Sequence, residues 1–202
     1  MAHFAKPAEG SWTEHYPGLG TEPVSYRDSY DPDIWAEEIE TIFKKEWLCV
    51  GRVDQLPRVG SYFTKEFDWA NRSLIIVKGK DGVVRSFYNV CRHRGNKLVW
   101  DDYPQEETSG VCRQFTCKYH AWRFDLDGSV NFVQQEHEFF DLDKDSLGLI
   151  PVACDVWEGF IFVNLNPEPK QTLTEALGPI AEGLAGYPYG EMTQSYRMTS
   201  KI

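Results

Sequence analysis

The stretch NVCRHRGN, residues 89–96, sets Cys91 and His93 two residues apart among arginines and a glycine. Alone, a C-x-H decides little, since structural Cys and His are common. A second pair follows in FTCKYHAW, residues 115–122, where Cys117 and His120 form a C-x-x-H. Two thiols and two imidazoles on two polar loops are a metal-ligand set. The sequence around them says what kind of fold presents them.

Both loops sit at strand ends: VVRSFYNV runs into the first and RFDL leaves the second. Further out, WLCVGRV, SYFTKEF and RSLIIVKG are runs rich in Val, Ile, Phe and Tyr. The turn KDG at 80–82 joins RSLIIVKG to VVRSFYNV, and Asp127-Gly128 joins RFDL to SVNFV as a hairpin. GFIFVNLNPEP, from Gly159, reads as a last buried strand closed by a proline-marked loop. The body is therefore expected to be all-β, with a metal held between hairpin tips. Asp31 as N-cap and Pro32 at the first helical position, with Trp35, Ile39, Ile42 and Phe43 at helical spacing, predict a helix over 32–45. A second helix is expected over 172–184, kinked at Pro179. The segment from Tyr187 onward starts as a strand would. Residues 1–27, rich in Gly, Pro, Ser and Tyr, read as an extended arm.

Composition narrows the function. With 42% hydrophobic residues in 202, the chain can bury a real core, and 31 acidic against 21 basic residues argue against a general nucleic-acid surface. No apolar run reaches membrane-span length and the opening MAHFAKPAEG lacks the apolar core of a signal peptide, so a cytoplasmic protein without membrane partners is expected. Five cysteines at irregular spacing point to buried or metal-bound thiols rather than a disulfide framework.

Two metals suit two Cys and two His. Zinc takes them in a tetrahedral array, which would make this a zinc-stabilised structural module. A Rieske [2Fe-2S] centre takes two Cys on one iron and two His on the other. The tight C-x-H spacing favours the second, because each loop then sends its Cys to one iron and its His to the other.

At this point the residues resemble a family. CRHRG followed by CKYHAW is similar to the Rieske signature of ring-hydroxylating oxygenase α-subunits, and IFKKEW, WLCVGRV, QLPRVG and GFIFVNLNP fall in the order that family shows. The resemblance covers roughly 25–169. One departure is the 23 residues from Arg94 to Thr116, a longer gap than usual, with the excess placed in the acidic stretch DDYPQEETSG as a loop insertion.

The resemblance implies a Rieske-type antiparallel β sandwich of small sheets with cluster-binding hairpin loops, one N-terminal helix and a short C-terminal helix. It divides the chain into an arm (1–27), the Rieske domain with its leading helix (28–170), and a helix leading toward a catalytic domain (171–202). It implies Cys91 and Cys117 on one iron and His93 and His120 on the other, with Trp122 packed against the centre. The respiratory branch of Rieske proteins carries two hydroxyl donors and a disulfide where this chain has Trp122, Phe124, Asn96 and Tyr119, so the low-potential oxygenase type is expected. The implied function is electron entry to an aromatic-ring-hydroxylating mono- or dioxygenase. A ferredoxin or flavin reductase would be the donor, and the full-length subunit would be a homo-oligomer, a trimer. The mononuclear iron(II) of that family needs two His and a carboxylate. Only His3, His15 and His137 remain unassigned, so no residue here is given a catalytic role and that iron is expected in a further C-terminal domain. A stand-alone Rieske ferredoxin is the alternative.

The remaining candidates read as structural. Cys112, at an odd offset from Cys117, reads as a core thiol, as do Cys49 and Cys154; His137 reads as a surface residue, and Trp35 and Trp47 as packing residues. Arg92, Arg94, Lys97, Lys118 and Arg123 make the two loop windows basic in an acidic chain, which suits an acidic electron donor; Arg94 reads equally well as the buried partner of a carboxylate.

Overall fold

The computed structural model describes residues 23–193, 195, 196 and 198; His3, His15 and most of the expected arm lie outside them. The chain divides into two compact units, Met1–Glu37 and Glu38–Ile202. In the first, Asp31 caps α1 (Pro32–Glu38) as expected: its carboxylate accepts from the Asp33 N–H at 3.0 Å. The same carboxylate pairs with Arg27 at 2.7 Å, which holds it below the usual carboxylate range. Trp35, expected to pack, is 44% exposed, because this one short helix carries no buried residue. The helical run continues as a wider turn over Ile39–Phe43, closed by Lys44 N–H to Ile39 C=O at 3.0 Å. Among the described residues no helix is long and apolar enough to cross a membrane.

Among its described residues, unit Glu38–Ile202 is built on ten antiparallel strands. β1 (Leu48–Arg52), β2 (Ser61–Phe67), β3 (Arg72–Lys78), β4 (Val84–Tyr88), β5 (Ser109–Val111), β9 (Pro151–Trp157) and β10 (Phe160–Asn164) form one sheet in the order β1-β10-β9-β4-β3-β2-β5. β6 (Phe115–Thr116), β7 (Arg123–Phe124) and β8 (Val130–Phe132) form a second. The all-β expectation is met, and the runs singled out in the sequence each contain a strand.

The strand β3 explains the layering. Its apolar run is continuous, so both faces must be covered. Ile75 and Val77 pack into a core with Phe87, Phe115, Trp122, Phe124 and Leu126, whereas Leu74 and Ile76 pack into another with Leu56, Phe63, Phe67, Ile161 and Val163. The first core contains Cys91 and Cys117, so the thiols of the two Cys/His loops are anchored in it.

Three elements escaped sequence reading. β9 pairs with β10 from Ala153 to Trp157 and with β4 at Pro151 and Val152, joining two ladders. Its sequence hides it, because only Val152 is buried and the period-2 signal is lost. β5 and β6 are too short to show one. β5 ends the acidic stretch taken for a pure loop insertion, and it is fastened to β2 by Thr64 N–H to Thr108 C=O at 2.8 Å and by Lys65–Glu107 at 2.7 Å.

The Asp127-Gly128 turn requires its glycine: φ is +91° and a Cβ there would lie 2.5 Å from Phe87. The second helix is two, α2 (Leu173–Leu177) and α3 (Pro179–Leu184), parted at Gly178 before Pro179. α2 begins with a Thr172/Glu175 capping box. Past Tyr187 the described residues form a short turn at Tyr189–Glu191 instead of the expected strand. Arg52 fixes this turn by donating to the carbonyls of Tyr189 and Met192 while lying 4.6 Å from the Phe160 ring. Trp47, half-buried, donates to Gln171 C=O at 3.1 Å.

Cys49 is exposed rather than part of the core, because on edge strand β1 it points opposite to the buried Val50. Cys154 and Cys112 are half-buried thiols, pushed up to about 12 and about 11 by burial. Cys112 shares no strand with Cys117, since β5 ends at Val111 and β6 starts at Phe115.

Candidate metal centre

The two loops are the same backbone device. In the first, the Cys91 N–H donates to Asn96 C=O at 2.8 Å and the Gly95 N–H to Cys91 C=O at 3.0 Å. In the second, the Cys117 N–H donates to Trp122 C=O at 2.8 Å and the Ala121 N–H to Cys117 C=O at 3.0 Å. The fifth residue of each is left-handed, Gly95 at φ +70° and Ala121 at φ +57°. One loop offers its imidazole two residues after the Cys and the other three, which explains why the spacings differ although the backbones match.

Packing holds the loops in place. Asn89, 3% exposed, accepts from the N–H groups of Leu98 and Val99 (3.0 and 2.8 Å) and donates to Val99 C=O and Ser73 Oγ (2.7 and 3.1 Å). Its four bonds fasten the exit of the first loop to the end of β4. Trp122, 3% exposed, stacks on His93 with centroids 4.9 Å apart and planes 4° apart, the packing expected of it. Phe139 closes the edge of both rings.

The four predicted ligand residues come together as two pairs, the thiols of Cys91 and Cys117 and the imidazoles of His93 and His120. Cys91 and Cys117 are each 3% exposed and their thiols interact, with burial pushing the Cys91 thiol up. His93 and His120 are half-buried, with ring centroids 4.7 Å apart. Burial, then His120 and Arg94, pull the His93 imidazolium pKa down, which favours the neutral ring a metal needs. The Nδ1 atoms of His93 and His120 are buried and find no hydrogen-bond partner among the described residues. Orphaned buried acceptors are costly, and a metal on each would satisfy both. Among the described residues, no three His, Cys, Asp or Glu side chains converge as ligands of a single ion would. Two buried thiols and two half-buried imidazoles with unpartnered Nδ1 atoms fit a group that takes both kinds of donor.

Residues outside the motif complete the surroundings. Tyr119 lies 3.8 Å from His120 between ring centroids, and Arg94 lies over Tyr119 at 5.9 Å. Arg94 is exposed, and the basic residue with a shielded carboxylate is Lys97, bonded to Glu66 at 2.8 Å. Lys118 sits 3.8 Å over Trp100 and Arg123 4.5 Å over Phe132, and His137 is exposed as expected. Asn89, Asn96 and Phe139 were not foreseen as site residues. Their only signal is proximity in sequence for the asparagines, and the FF pair at 139–140 in an acidic segment.

The model of the Rieske [2Fe-2S] domain matches residues 46–150, and the chain belongs to this family. Within it, the relatives are oxygenase subunits. The chain is 32% identical over 158 residues to the carnitine monooxygenase oxygenase subunit of Escherichia coli (strain K12), covering 78% of this chain and 40% of that one. It is 36% identical over 158 residues to the glycine betaine monooxygenase oxygenase subunit of Chromohalobacter salexigens, covering 78% and 33%. The structure of a quaternary ammonium Rieske monooxygenase in complex with L-carnitine superposes with a TM-score of 0.69 at 31% identity, over 78% of this chain and 42% of that one. Naphthalene 1,2-dioxygenase with indole bound does so with a TM-score of 0.64 at 32% identity, over 74% and 32%. The chain thus spans less than half the length of the relatives it matches.

Proposed function

We propose that this chain accepts and passes on single electrons through a [2Fe-2S] cluster, with Cys91 and Cys117 on one iron and His93 and His120 on the other, as the electron-entry domain (28–170) of a Rieske non-haem iron oxygenase α-subunit. The observation that carries this is the pair of buried Nδ1 atoms that, among the described residues, have no hydrogen-bond partner, on the same two loops as two buried, interacting thiols. The cluster would supply one-electron chemistry, and neutral imidazoles in place of two thiolates put its potential above that of an all-Cys ferredoxin. The protein's own part is to bury the thiol side, wall His93 with Trp122 and Phe139, and leave the imidazole side toward the surface, where an acceptor can approach.

The substrate belongs to the whole subunit. The resemblance in the sequence pointed to aromatic rings, which naphthalene 1,2-dioxygenase among the similar structures supports. Among the curated relatives, several are named for carnitine or glycine betaine and one for methanesulfonate, so we take a small quaternary ammonium compound as the better-supported substrate class. A ferredoxin or reductase as donor and an oligomeric full-length subunit follow from the same family reading.

Metal analysis of anaerobically purified protein should find two irons and two acid-labile sulfides per chain. The EPR spectrum of the reduced protein should show a mean g value below that of an all-Cys ferredoxin. Stoichiometric zinc, or an all-Cys spectrum, would refute the reading.

A further inference from the structure

Asn96 reaches from one cluster loop to a ligand sulfur on the other. Asn96 closes the first loop, its backbone C=O accepting from the Cys91 N–H at 2.8 Å, so its position is set by one proposed ligand. Its Nδ2 then reaches across to the other loop, 3.8 Å from Cys117 Sγ, while also donating to Lys97 C=O at 2.7 Å. The amide orientation follows from chemistry: both neighbours of that end are acceptors, a carbonyl and a ligand sulfur, and an amide oxygen there would face two like dipoles. Two N–H bonds meet two acceptors, and nothing else is asked of them.

We infer that the Asn96 side-chain amide raises the reduction potential of the centre by donating a hydrogen bond to the sulfur of Cys117; this rests on the cluster reading above. One-electron reduction adds a negative charge shared with the sulfurs, so an N–H dipole aimed at Cys117 stabilises the reduced form more than the oxidised one. Asn96 is half-buried and Cys117 is 3% exposed, so water screens the interaction little. The sulfur of Cys91 is served differently, by the backbone N–H groups of His93 and Arg94, which no side-chain substitution removes. Asn96 is thus a positioning and tuning residue that spans both thiol ligands.

The test is a redox titration of iron-loaded wild type, Asn96→Leu (similar size, no donor) and Asn96→Asp (same shape, anionic acceptor). In the Leu variant the one-electron reduction constant should fall about tenfold, a shift of about 59 mV to lower potential, and in the Asp variant further. Iron and sulfide content and EPR line shape should stay as in the wild type, which a merely structural role would not combine with a shifted potential. An unmoved potential with an intact cluster overturns the inference. Should neither variant load, pulsed EPR of reduced wild-type protein grown with side-chain 15N-asparagine decides: a weakly coupled 15N supports the bond, and its absence overturns it. Wild-type protein without two irons and two sulfides would fail the cluster reading itself, and the hydrogen bond with it.

Discussion

Replacing Asn89 by Ala tests how the first loop is held. The change removes an acceptor from the Leu98 and Val99 N–H groups and a donor from Val99 C=O, all three on residues that are buried. The bond to Ser73 matters less, since Ser73 Oγ also donates to Glu66 at 2.7 Å. Each buried backbone group left unsatisfied costs about 1–3 kcal/mol, and a water entering the vacated volume recovers part of it. The net loss is then about 3–5 kcal/mol, against a total of about 5–15 kcal/mol for a typical domain. For a chain of this length that corresponds to a Tm lower by about 6–20 °C. Urea unfolding followed by tryptophan fluorescence, with cluster absorbance recorded in parallel, measures both the loss and whether the loop lets go first. A variant destabilised by less than about 1 kcal/mol would show that the four bonds are replaceable by solvent and that the loop is held by its ligands alone.

Five further substitutions probe neighbouring parts. Ala121→Gly should stabilise and Gly95→Ala destabilise the protein by about 1 kcal/mol each in denaturant titrations, because both sites are left-handed and an added Cβ at Gly95 meets nothing within 4 Å. Arg52→Ala should cost about 1–3 kcal/mol and speed proteolytic cleavage within 187–192, and Arg52→Lys should restore part of the loss, since the single nitrogen Nη2 meets both the Tyr189 and Met192 carbonyls and an ammonium can also donate to two acceptors. Among the described residues Arg92, Arg94, Lys118 and Arg123 form no ion pair with a carboxylate; Lys118→Glu should therefore slow reduction by an acidic ferredoxin about three- to tenfold at low salt, an effect that fades as salt rises, in stopped-flow measurements.

The ligand set was legible in the sequence because ligation is local: Cys91 with His93, and Cys117 with His120, each fit on one turn of loop. The all-β body was legible for a similar reason. SYFTKEF and RSLIIVKG carry their burial in their own residue order, and the runs become β2 and β3. What the sequence could not show was anything set by a partner distant along the chain. β9 is a strand because β4 and β10 flank it, not because PVACDVW alternates. Cys49 is exposed because it faces away from the core that buries Val50, a choice of face that the continuous apolar run LCV does not record. Asn89 and Asn96 matter only once residues ten and twenty-one positions away are brought against them, at Val99 and Cys117. Residue type and spacing determined which atoms can bind a metal. Tertiary packing decided which of them are buried together, which nitrogens are left without partners, and which amide faces a sulfur, because desolvation and hydrogen-bond geometry depend on what the folded chain places alongside each group.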